Sequence, residues 1–356
     1  MKLFTVGPVD MYEETLSIGG EPIPYFRTSE FSDVMFKLEK DFLKLLYAGE
    51  GSRLITFTAS GTAAMESVFL NVIDKADKLL IVNGGSFGHR FCMLADLYEI
   101  PYDEIKLEYG EVLTEELLYS YDGRGYTALL VNIHETSIGQ LYDYKMLGEF
   151  CRKNNMYYIV DAISSFLADE LKMAEAGIDI VITSSQKAMA LPPGLSFVAL
   201  STRILNERVK GARVRSMYFD YNDYLLNMER GQTPFTPAVG IILQLAQRMD
   251  ALAKKGVEAE IEKHRKLAGE FRQMCADAGI PVPEFPKSNA LTTIEFPEGN
   301  ALEVFAKLKD EYGLMLTPSG GEIGKRVLRV GHLGARSIED YVEVIDSIKT
   351  MTDRLQ

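Results

Sequence analysis

The sequence predicts an α/β fold: a mostly parallel sheet covered by helices on both faces, followed by a smaller C-terminal α+β domain. Three observations predict it. Short, nearly continuous apolar runs recur through residue 200. Longer amphipathic stretches separate them. Around Pro234 to Pro237 the pattern changes, giving way to a long helical stretch and then a strand–helix–strand–helix tail.

The apolar runs at 79–82, 128–133, 157–160, 178–183 and 196–200 lack strict alternation, as expected of strands buried on both sides. Helical periodicity fills 62–73, 90–98, 142–154 and 171–176. A single helical stretch is expected from about 239 to 278, with Gly256 near its middle and Gly279-Ile280-Pro281 ending it. A strand at 290–296, a helix at 301–312, a strand at 327–330 and a helix at 338–352 complete the chain. We expect a large domain over 1–245, with an N-terminal arm at 1–20, and a small domain over 246–356.

Composition narrows the function. With 38 Lys and Arg against 51 Asp and Glu, the 356-residue chain carries a formal charge of −13, which argues against a nucleic-acid partner. An acidic total still permits a local cationic pocket for a small anion. Cys92, Cys151 and Cys275 are widely spaced and form no CxxC pair, so a disulfide scaffold or zinc site is a poor reading and a reducing cytoplasm fits best. The N-terminus lacks the apolar core of a signal peptide, and no run approaches the ~18 apolar residues of a membrane span.

In open α/β sheets, ligands bind at the carboxyl ends of the strands. Four expected strands end there in small polar turns: Asn83-Gly84-Gly85-Ser86-Phe87-Gly88, His134-Glu135-Thr136-Ser137, Asp161-Ala162-Ile163-Ser164 and Ser184-Ser185-Gln186-Lys187. A buried strand-end aspartate needs a cation or hydrogen bonds. Lys187, one strand over, could serve as that cation in a structural ion pair. Alternatively, Lys187 holds pyridoxal 5′-phosphate (PLP) as a Schiff base while Asp161 pairs with its protonated ring nitrogen. The turn Ser60-Gly61-Thr62 opens a helix and offers backbone N–H groups to a phosphate, although such residues also serve as plain N-caps. Phe87 is either ordinary core or a ring that stacks on an aromatic ligand; the chain has no Trp for that task.

The segment Ser184-Ser185-Gln186-Lys187-Ala188-Met189-Ala190-Leu191-Pro192-Pro193-Gly194-Leu195 resembles the Schiff-base lysine segment of class V aminotransferases. The resemblance extends in order along essentially the whole chain. It implies fold type I of the PLP-dependent transferases, with a mostly parallel, seven-stranded-type sheet. It also implies PLP bound by Ser60, Gly61 and Thr62 at the phosphate, Phe87 and Thr136 at the ring, Asp161 at the ring nitrogen, and Gln186 beside Lys187.

Gln232-Thr233-Pro234-Phe235-Thr236-Pro237 resembles the loop that reaches the neighbouring subunit's phosphate, which makes Thr236 a ligand across a homodimer interface. Leu328-Arg329-Val330-Gly331-His332-Leu333-Gly334 resembles the Arg-x-Gly-x-x-Gly strand whose arginine clamps the substrate's acid group. Guanidinium suits that task because its fork matches a carboxylate or phosphonate.

Two departures fall near the substrate entrance. Gly7-Pro8-Val9-Asp10 replaces the family's Gly-Pro-Gly-Pro, and Phe26 stands for histidine before Arg27 in its His-Arg-x-x-Glu-Phe stretch; Arg27 is a second candidate for substrate binding. The family implies a transaminase that exchanges an amino group between a small alanine- or serine-like donor and pyruvate or glyoxylate. A 2-aminoethylphosphonate donor, a PLP-dependent lyase or decarboxylase, and a non-catalytic PLP-binding protein are the rivals. A desulfurase would need a cysteine on a mobile loop, whereas all three cysteines fall in expected helices. The tyrosine-rich 217–224 either lies over the site or forms an interface patch.

Overall fold

The computed structural model describes residues 1–353. Its centre is a seven-stranded sheet built from β1 (Arg53–Phe57), β2 (Leu79–Asn83), β3 (Tyr102–Lys106), β4 (Ala128–Asn132), β5 (Tyr157–Asp161), β6 (Ile180–Ser184) and β7 (Ser196–Leu200). The spatial order is β1-β7-β6-β5-β4-β2-β3. β7 runs antiparallel to both its neighbours and the remaining pairs are parallel. Every residue of β2, β4, β6 and β7 is buried, which is why these strands read as unbroken apolar runs.

Helices cover both faces. α1 (Ser29–Leu45) packs Phe31, Met35, Leu38 and Phe42 into the core on one side; α2 (Gly61–Asn71) and α3 (Gly88–Leu97) cover the other. Side chains fix where helices start: the hydroxyls of Thr28 and Ser60 cap α1 and α2, and the Asp143 carboxylate caps α4 (Tyr144–Lys153).

The expected helix over 239–278 is two helices, α5 (Val239–Lys255) and α6 (Val257–Asp277). Gly256, at φ 84° and ψ 149°, breaks the hydrogen-bond ladder between them, a backbone conformation that glycine adopts without Cβ strain. Several elements lie outside the sequence expectations, among them α1, β1 and β3. The last is an edge strand whose Asp103, Glu104 and Lys106 hide its strand character, because one side of an edge need not be apolar.

The C-terminal part has its own core. β8 (Leu291–Glu295), β9 (Thr317–Pro318) and β10 (Val327–Gly331) form an antiparallel sheet against α6, α7 (Ala301–Tyr312) and α8 (Ile338–Asp353). The chain's start joins this unit: Lys2–Leu3 pairs with Leu314–Met315, and Phe4 is buried among Phe271, Leu328 and Tyr341. No described helix is long and apolar enough to cross a membrane.

Candidate active site

Parallel pairing of β5 with β4 and β6 brings the strand-end turns to one rim. Asp161 closes β5 in register with Asn132 on β4 and Ile182 on β6. Its Oδ1 accepts the Ile163 N–H at 2.8 Å; its Oδ2, fully buried, has no partner. Burial pushes the carboxyl up to about 6, against the Ile163 N–H, the Asn132 side chain and the charge of Arg90.

Lys187 follows β6 on the same rim and makes no ion pair among the described residues. Burial first, and then the charge of Arg329, lower its ammonium to about 8 against the opposing pull of Asp161. The structural ion-pair reading is therefore weak, because a lysine paired with an aspartate would be driven up instead. His134 lies nearby with both ring nitrogens unpartnered; burial first, then Lys187, lower it to about 3 and keep it neutral. Buried Asn132 Oδ1, Thr183 Oγ1 and Ser184 Oγ also lack partners. Buried polar groups are normally satisfied, so this concentration of unsatisfied atoms marks a ligand site.

The Ser60-Gly61-Thr62 turn reaches the same rim: a Cβ on Gly61 would lie 3.4 Å from Ser184 Oγ. The Ser60 hydroxyl is used as an N-cap on Ala63 N, and Thr62 Oγ1 accepts from Arg90 Nη1 at 2.8 Å. Arg90 also sits over the Phe87 ring, 5.0 Å from its centroid, so one guanidinium links the helix N-terminus to that ring. Phe87 is only partly buried. Thr136 Oγ1 bonds Ser164 Oγ at 2.5 Å, and its carbonyl accepts from Arg329 Nη1 at 2.8 Å. Arg329 Nη2 donates to the Pro318 carbonyl, and its Nε has no partner. No described carboxylate pairs with Arg329, and burial lowers its pKa to about 10.

Three contacts at this rim escape the sequence reading. Buried Glu135 accepts hydrogen bonds from the N–H groups of Phe87 (3.3 Å), Gly88 (2.8 Å) and Ser137 (3.1 Å), and from Ser137 Oγ (2.5 Å). It bolts the Phe87 turn to the Thr136 turn. The second is Arg90, and the third is Gly7: at φ +136°, a Cβ there would lie 2.7 Å from Lys187 Cδ, so the N-terminal segment rests on the lysine stem. Glu135 stands inside a quoted strand-end turn and Gly7 inside the quoted entrance segment, but nothing local signals the contacts they make.

Two predicted residues lie apart from this group. Arg27 donates to the Gln232 side chain and to the carbonyls of Thr233 and Pro234, bracing the loop that carries Thr236. Thr236 itself is exposed. Tyr218 stacks on Phe235 of that loop and donates to the Thr58 carbonyl, while Tyr221 and Tyr224 are buried core. Most of the tyrosine-rich segment thus holds the loop and α2 together.

A mostly parallel sheet flanked by helices is the architecture of the fold type I, PLP-dependent aminotransferases. Residues 25–332 match the family model for aminotransferase class-V, and the chain belongs to that family. It is an aminotransferase. It is 29% identical over 342 residues to an uncharacterized aminotransferase of Methanocaldococcus jannaschii, covering 93% of this chain and 87% of that one. The L-aspartate–glyoxylate aminotransferase of Paracoccus denitrificans is 26% identical over 344 residues, covering 94% and 86%. Among solved structures, an aspartate aminotransferase of subgroup IV from Thermus thermophilus superposes with a TM-score of 0.90 at 25% identity, covering 100% of both chains.

Proposed function

We propose that the chain uses PLP to move an amino group from a small alanine- or serine-like donor to pyruvate or glyoxylate, in ping-pong fashion. One observation carries this reading: Asp161 keeps a buried oxygen without a partner beside a lysine that no anion pairs. That combination fits a cationic pyridinium N–H at Asp161 and a carbonyl at Lys187. The glyoxylate acceptor of the Paracoccus relative supports the acceptor class.

PLP, when bound, supplies an electron-accepting ring for the carbanion at the substrate's Cα. The protein's own groups do the rest. Asp161 Oδ2 would hold the proton on the ring nitrogen, and Phe87, Thr136 and Gln186 would pack and orient the ring. Ser60, Gly61 and Thr62 would take the phosphate at the N-terminus of α2. Lys187 Nζ, disfavoured as an ammonium, accepts the proton from the substrate Cα. Arg329, with Nε unpartnered and no acid of its own, holds the substrate's acid group, and Gly7 closes over the lysine stem. Arg27 acts at the substrate entrance through the loop it braces.

The same reading makes the protein a cytoplasmic homodimer with a large domain over 1–245 and a small one over 246–356. An exposed Thr236 on a loop fastened by Arg27 and Tyr218 suits a ligand offered to the neighbouring subunit. Three free, buried cysteines suit a reducing compartment.

A donor screen tests the assignment. Alanine or serine should consume the visible band of the PLP-loaded protein, and pyruvate or glyoxylate should restore it. Turnover of a donor without any oxo acid would instead indicate a lyase, and a preference for 2-aminoethylphosphonate would reassign the donor.

A further inference from the structure

One helical turn behind Phe87, α3 packs against the edge strand β3, and three side chains of different ligand type converge there. His89 and Cys92, spaced i and i+3, share one face of α3. Glu104 projects from β3. One ligand atom from each residue lies within 4.8 Å of the other two.

Asn83, the last residue of β2, directs its Nδ2 to both His89 Nδ1, at 3.3 Å, and Glu104 Oε1. Two acceptors thus already converge on one positively polarised donor. Glu104 lies beside the Cys92 sulfur, and among the described residues it is not ion-paired with a lysine or arginine. This is a small region of electron-rich atoms lacking a cation.

We propose that His89, Cys92 and Glu104 form a binding site for a borderline-soft divalent cation, with zinc the best match, separate from the Lys187 site. Imidazole, thiolate and carboxylate are all zinc ligands, and a three-ligand site leaves the fourth position to water. Tetrahedral zinc with ligands at about 2.0–2.3 Å places ligand atoms roughly 3.5 Å apart, so side-chain adjustment rather than backbone movement closes the present spacing. His89 is exposed and provides the entry path, whereas Cys92 is buried. The ion replaces the Asn83 amide as the centre on which the acceptors converge. It ties the first turn of α3 to the sheet edge, and that turn begins at Phe87.

The test uses the full-length, PLP-loaded protein after dialysis against a chelator. Calorimetry with Zn²⁺ should give one ion per chain, and Cd²⁺ should produce a thiolate charge-transfer band. His89→Ala, an exposed change, and Cys92→Ser should each weaken binding by at least about tenfold and, for Cys92→Ser, abolish the band. Cys151→Ser should change neither, and circular dichroism verifies that each variant is folded. Absence of saturable Zn²⁺ binding, or wild-type affinity in either His89→Ala or Cys92→Ser, would overturn the site.

Discussion

Asp161 and Glu260 are both buried carboxylates, 1% and 3% exposed, and they behave in opposite ways. Glu260, on α6, accepts from Arg248 Nη2 of α5 at 2.5 Å and from the Tyr12 hydroxyl at 3.2 Å. Burial pushes its carboxyl up, but Arg248, His264 and Lys263 together bring it below the usual range. For Asp161 burial wins, because one oxygen has no partner. The paired acid fastens the elbow at Gly256 and the N-terminal segment. The unpaired one stores a cost that a ligand can relieve. A buried charge becomes informative about function when its partner is missing.

The contrast predicts separable effects. Lys187→Ala should lower kcat about 10⁴-fold, measured in single turnover with the amino donor, while unfolding of the apo protein should not shift downward. Full activity in this variant would end the assignment. Glu260→Ala should do the reverse: stability in urea falls by about 3–5 kcal/mol, because Arg248 is left buried without its acid, while kcat of the folded enzyme stays within about twofold.

Asp161→Asn should combine the two outcomes. Its carboxyl is pushed up in the folded state to about 6 from the ordinary 3.8, so the ionised group costs stability as pH rises through that interval. At pH 8 the asparagine variant of the apo protein should gain on the order of 2 kcal/mol while activity falls about 100-fold. A less stable variant at that pH would mean that the carboxylate is satisfied after all.

Glu135→Gln keeps the size but weakens the acceptor held by Phe87, Gly88 and Ser137; a local cost of about 2 kcal/mol should appear as weaker PLP retention with little change in the global unfolding midpoint. The smallest effect is on pH dependence. PLP capture by the apo protein needs neutral Lys187, so its rate should climb about tenfold per pH unit and level off above about 8. An ordinary lysine would keep climbing to about 10.5.

The legible part of the site followed from strand ends. Apolar runs stop abruptly at Asp161 and before Lys187, so both could be placed on the rim from local sequence. Phe87, Thr136 and Arg329 became candidates through motif resemblance. Glu135 stayed hidden because its role depends on two turns separated by almost fifty residues in the chain, which only packing brings together. Arg90 was equally silent, since a lone arginine gives no sign of which ring or hydroxyl it meets.

The sequence by itself determined the α/β class, because strands buried on both faces must be continuously apolar. It also determined which turns carry polar groups to the rim, because adjacent parallel strands end on the same side. Only the tertiary structure decided that Gly256 divides one helical run in two, that Gly7 rests on Lys187, and that Asp161 has no cationic partner where Glu260 has Arg248. Periodicity records whether a side chain is buried; which atoms meet it there is decided by packing between distant segments.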